Sequence, residues 1–198
     1  MENLKIMKHI KIIALICLGF IQNAVAQVKP DFRNFNWGDS FQKVLSGESA
    51  QYILKDNDDM LQYKDQLGGF DCDVMYAFNE NDKLVSGNYR FTKKYMNMQL
   101  YVQDYNSFKA LLTQKYGNPG LDQQNWSSKP GAGSSESVGQ AIANGNLSLR
   151  AEWVSNRSII EIMLSRVANQ PLLQIYYTAK TLNEMENKAL MQKALIKL

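Results

Sequence analysis

Cys72 is the residue whose type first suggests chemistry. A thiol acts as a nucleophile only when ionised. Its neighbours Asp71 and Asp73 push a thiol pKa upward and oppose that. Its strand face would be shared by Phe70, Val74, Tyr76 and Phe78, so Cys72 reads as a small core residue. The chain's other cysteine, Cys17, and its single histidine, His9, both fall within the first 26 residues. If those residues are removed, Ser–His and Cys–His catalysis have no histidine, and zinc sites built on His or paired Cys have no ligands. No intrachain disulfide could then form.

Three further groups could carry function. Asp56-Asn57-Asp58-Asp59 has oxygen ligands of the kind calcium takes. A calcium loop also needs Gly at its sixth position and an acid at its twelfth, and Leu61 and Leu67 stand there. The segment therefore reads as a solvated turn. Two facing carboxylates could serve a glycosidase, but no acid in the sequence is marked as buried with a raised pKa. Tyr89, Tyr95, Tyr101 and Tyr105, with Met96 and Met98 among them, could form a binding face for a peptide, glycan or lipid. Core packing is the competing reading of the same residues. No phosphate-cradling glycine loop or dinucleotide fingerprint is present, and no cofactor is expected.

The N-terminus gives the strongest local signal. Lys5, Lys8 and Lys11 precede a ten-residue apolar run from Ile12 to Ile21, and Ala24-Val25-Ala26 places small residues before a cut at Ala26–Gln27. This is the three-part pattern of a secretory signal peptide over residues 1–26, with Met7 as an alternative start. The apolar run is too short for a membrane span. Losing these residues removes three Lys and one Glu and lowers the formal net charge from +3 to +1. The remaining body lacks the basic footprint of a nucleic-acid binder. The expected location is periplasmic or secreted.

These residues must be positioned by a fold, and periodicity predicts an α+β one. Asp39 or Ser40 can cap a helix whose Phe41, Val44 and Leu45 share a face and which Gly47 ends. Asn106-Ser107-Phe108-Lys109-Ala110-Leu111-Leu112 mirrors that start, and its helix ends at Tyr116-Gly117. Residues 70–78 alternate as a strand, Asn79–Asp82 is a turn, and Val85, Gly87, Tyr89 and Phe91 make the returning face. The second half repeats the device with Leu147, Leu149, Ala151 and Trp153, a turn at Ser155–Ser158, and Ile160, Ile162 and Leu164. A Ser/Gly-rich loop at Ser127–Ser135 absorbs the difference in spacing between the halves. A strand at Leu172–Tyr177 and an amphipathic C-terminal helix over residues 181–196 follow. The expectation is one domain, 27–198, of two similar halves (about 32–100 and 101–180). Each would be a helix followed by antiparallel strands, with helices on one sheet face.

Phe35-Asn36-Trp37-Gly38-Asp39-Ser40, Tyr76-Ala77-Phe78, Leu84-Val85, Lys115-Tyr116-Gly117-Asn118-Pro119 and Trp126 resemble a family of small exported bacterial proteins of unknown function. Gly139-Gln140-Ala141, Gly145, Trp153 and Ile175-Tyr176-Tyr177 extend the resemblance, which covers most of residues 32–177. It brings no catalytic residues. More remotely, tandem helix-then-strand units are similar to the beta-lactamase-inhibitor-protein-like fold and to the small lipoprotein of the outer-membrane barrel assembly machine. Those families act by binding proteins, although this chain lacks a lipidated Cys. The expected function is a non-enzymatic protein-interaction module of the cell envelope. A binder of a small apolar or sugar-like ligand is the alternative, and a carboxylate-dependent hydrolase comes third.

Overall fold

A computed structural model of the chain describes residues 29–55, 59–127 and 136–180, with Met191, Ala194 and Leu195. The leader with its Ala26–Gln27 junction, Asp56–Asp58, residues 128–135 and all but three residues of the expected C-terminal helix lie outside the described residues.

Helix α1 (Phe41–Gly47) starts where Ser40 Oγ accepts the Lys43 N–H at 3.3 Å, and it buries Phe41 and Val44. Four strands follow: β1 (Gln51–Lys55), β2 (Met60–Leu67), β3 (Phe70–Phe78) and β4 (Leu84–Phe91). Helix α2 (Gln99–Tyr116) leads to β5 (Leu121–Trp126), then α3 (Val138–Asn144), β6 (Leu147–Val154), β7 (Ser158–Val167) and β8 (Gln170–Ala179). All eight strands form one antiparallel sheet in the order β1-β2-β3-β4-β8-β7-β6-β5. Each half is thus a meander of sequence neighbours, and the halves meet where β4 pairs with β8.

The register shows why one face is core. Tyr63, Val74, Tyr89, Ile175, Ile162 and Ala151 lie opposite one another across six strands, and every one is buried. The side-chain period of 2 puts their neighbours on the other face. α2 buries Tyr101, Val102, Tyr105, Phe108 and Leu112 against the first face. The Phe108 ring centre stands 4.5 Å from that of Phe91 and 5.2 Å from that of Phe70. On the same face, residues 31–48 also pack on β3 and β4. Phe41 meets Phe78, and Phe32 sits among Tyr76, Tyr89 and Tyr177 at 5.1–5.3 Å. Gly87 makes room for it: a Cβ there would fall 2.1 Å from Phe32 Cδ1.

Two expected details are corrected. Asn106 and Ser107 do not start a helix: α2 begins seven residues earlier, at Gln99, and the Ser107 hydroxyl donates to the Gln103 carbonyl at 2.9 Å. A serine inside a helix satisfies itself this way, so the cap-for-cap match between the halves fails. Leu84, and not Val85, opens the buried face of β4, because the β3–β4 register shifts between Ala77 and Phe78. Strands β1, β2 and β5 and helix α3 were not expected.

Candidate functional site

The polar centre of the first meander half is built on Arg33, a residue with φ +53°. Its guanidinium donates to Glu48 at 2.9 and 3.2 Å and meets Asp65 of β2 at 2.6 Å. The Glu48 side chain is fully buried and also accepts from the Tyr76 hydroxyl and from the Ser49 and Ala50 N–H groups. Burial alone would push the Glu48 carboxyl up. The Tyr76 hydroxyl, the Ala50 N–H and Arg33 outweigh it and hold the carboxyl below its ordinary value. For Asp65 too, burial is outweighed, by the Gln66 N–H and by Arg33, and the pKa is lowered. Tyr76 is raised, by burial first and then by Glu48. These are two committed anions on one cation, not an acid and a base with separated pKa values.

Cys72 is buried 2 % exposed, beside this cluster, with Sγ 3.6 Å from the Asp65 carbonyl. Burial, then the Asp65 charge, raises its thiol to about 11. The six Tyr and Met residues of the expected binding face are spread through the fold. Tyr89 is in the Phe32 box, and Tyr101 and Tyr105 are buried on α2. Tyr95 is half-buried and donates to Asp104 at 2.6 Å; it packs edge-on to Tyr101 at 4.9 Å. Met98 is half-buried at the start of α2, and Met96 is 99 % exposed.

The other sheet face carries no described helix. Its central row is Gln62, Met75, Asn88, Tyr176, Glu161 and Glu152. Arg150 forks between Glu152 at 2.7 Å and Glu161 at 2.5 Å, so its charges are mutually satisfied. Arg150, Glu152, Ile159, Glu161, Met163, Tyr176 and Thr178 line a shallow hollow of about 340 Å³. Asn88 Oδ1 in the same row is buried and has no hydrogen-bond donor among the described residues. This face was missed in the sequence, where its residues read as the polar half of each alternation.

Among the described residues no group of three or more His, Cys, Asp or Glu side chains is arranged to hold a metal ion. No described helix is long and apolar enough to cross a membrane.

No family model matches the chain, and no curated protein matches it. Among solved structures it has a remote neighbour, a DUF4309 family protein (YjgB) from Bacillus subtilis. The two are 9% identical, and the likeness covers 72% of this chain and 79% of that one with a TM-score of 0.37. The neighbour belongs to an uncharacterised family and lends nothing to the expected likeness to the beta-lactamase-inhibitor-protein-like fold.

Proposed function

We propose that this protein is a non-enzymatic interaction module of the cell envelope that holds another exported protein against the open face of its sheet. The observation that carries the reading is the face itself. Eight strands present one side with no described helix over it, and its centre mixes Met75, Met163, Ile159 and Tyr176 with satisfied ion pairs. Met and Tyr are among the residues enriched at protein-binding surfaces. The leader pattern at residues 1–26 supports export. The lowered carboxyls of Glu48 and Asp65 support a role without acid–base catalysis. The arrangement of helix plus four-strand meander on either side of the β4–β8 pair supports descent from one duplicated unit.

The test is cross-linking capture from envelope extract with the chain as bait, beside a Tyr176→Glu/Met163→Glu variant. One saturable partner that the variant loses, at unchanged thermal stability, is the expected result. Capture that the variant leaves intact would remove the open face from the reading.

A further inference from the structure

We propose that a basic groove where β4 runs out toward α2 binds a phosphate group. The groove holds about 280 Å³, and among its lining residues are Arg90, Lys93, Lys94, Asp73, Tyr101 and Pro171. Three cations therefore share it with one carboxylate. Elsewhere among the described residues Arg33, Lys43, Lys109, Arg150 and Arg157 each meet an acid. The Arg90 and Lys94 side chains make no ion pair or hydrogen bond among the described residues, although Asp73 lies opposite Arg90 in the β3–β4 register. Lys93 is placed by rings: its ammonium lies 5.0 Å from the Tyr95 ring centre and 5.6 Å from that of Phe70.

Two further features favour an anion there. Tyr101, in the groove wall, belongs to the first turn of α2, an 18-residue helix with no acidic residue in that turn, whose Gln99 N–H donates to Asn97 Oδ1 at 3.0 Å. The positive end of the helix dipole thus adds to the three cations. The segment carrying the lysines is also pinned on both sides. The Thr92 N–H donates to the Asp71 carbonyl at 3.1 Å, and the Tyr95 N–H donates to the Tyr101 hydroxyl at 3.1 Å. The backbone of Lys93 and Lys94 is held between those points, so a ligand need order only their side chains. Three cations around one small groove match a compact dianion better than a single carboxylate, which makes a phosphate monoester the class of ligand. The phosphate could come from a soluble metabolite or from a lipid headgroup.

The test titrates the chain with glycerol 3-phosphate by calorimetry, and in parallel measures its sedimentation with vesicles containing phosphatidic acid, whose headgroup is a phosphate monoester, against phosphatidylcholine ones. Binding in either arm that weakens at least about tenfold in an Arg90→Gln/Lys94→Gln variant is the expected result. Lys83→Gln, an exposed lysine at the far end of β4, should leave that binding unchanged. Saturation in the first arm names a soluble phosphate, and saturation in the second alone names a headgroup. No binding in either arm, or equal loss in Lys83→Gln, would overturn the proposal. Thermal denaturation of both variants at the wild-type midpoint shows that a loss is not unfolding.

Discussion

Replacing Gly87 with alanine tests the tightest contact of the first meander half. The added Cβ would lie 2.1, 2.3 and 2.5 Å from three atoms of the Phe32 ring. Ordinary carbon contact is about 3.6 Å, so the ring must retreat by roughly 1.5 Å. It has nowhere to go, with Tyr76, Tyr89 and Tyr177 at 5.1–5.3 Å between ring centres and Phe32 only 1 % exposed. Local overpacking costs about 1–3 kcal/mol, and expelling the ring costs about 3–5 kcal/mol. Alanine is otherwise the better strand residue by about 0.5–1 kcal/mol. The net expectation is a loss of about 2–4 kcal/mol, or a fall in Tm of about 4–16 °C. Urea unfolding followed by tryptophan fluorescence measures it. The decisive comparison is with Phe32→Ala, which removes the obstructing ring. In that background Gly87→Ala should cost nothing or stabilise slightly, because the coupling between the two sites accounts for its whole penalty. An equal cost in both backgrounds, or none in the wild type, would refute the reasoning.

Gly139→Ala should destabilise by about 2 kcal/mol in the same assay despite alanine's better helix propensity, since the new Cβ would meet the Met98 carbonyl carbon at 2.5 Å and the Gln99 nitrogen at 2.6 Å. Glu48 and Asp65 have folded pKa values below their ordinary 4.5 and 3.8, so the unfolded chain takes up protons first on acidification. Their contribution should be complete above about pH 5 and fade as the pH falls through the lowered values, and Glu48→Gln should flatten that limb of a stability-against-pH curve. Cys72, raised to about 11, should react with a disulfide reagent at pH 8 at least ~100-fold more slowly in the folded chain than in denaturant. Fast labelling of the native protein would show that the thiol is reachable and ionised.

What the sequence made legible follows from the range of each interaction. The faces of β3, β6 and β7 appear as strict alternation because each strand has one buried side, and Phe70 to Phe78 or Leu147 to Trp153 need no outside information. Edge strand β5 is Leu-Asp-Gln-Gln-Asn-Trp, with little apolar content to alternate, and its pairing to β6 makes it a strand. The Asn106-Ser107 decoy shows the limit of cap reading: the same residue types serve on the exposed flank of a long helix. The Arg33 cluster gathers residues 15 and 17 positions apart in sequence, Arg33, Glu48 and Asp65, through a loop, a short helix and a hairpin edge. No local pattern marks it. The phosphate groove is equally invisible, since Arg90 and Lys94 read as ordinary surface charges until β8 is laid beside β4.

The crossing of residues 31–48 over the sheet sets a timetable for assembly. Asp31 is clamped by Arg157 through two bonds of 2.7 Å, and the Trp37 indole donates to Ser158 at 2.9 Å, partners 126 and 121 residues downstream. Phe32 likewise needs Tyr177 to close its box. A chain that emerges N-terminus first can zip β1–β4 from neighbours, yet Asp31, Phe32 and Trp37 must wait for partners on β7 and β8. Until then Phe32 and Trp37 have no complete site to enter. That interval is when a chaperone has an aromatic segment to hold, and when the growing protein is most exposed to aggregation.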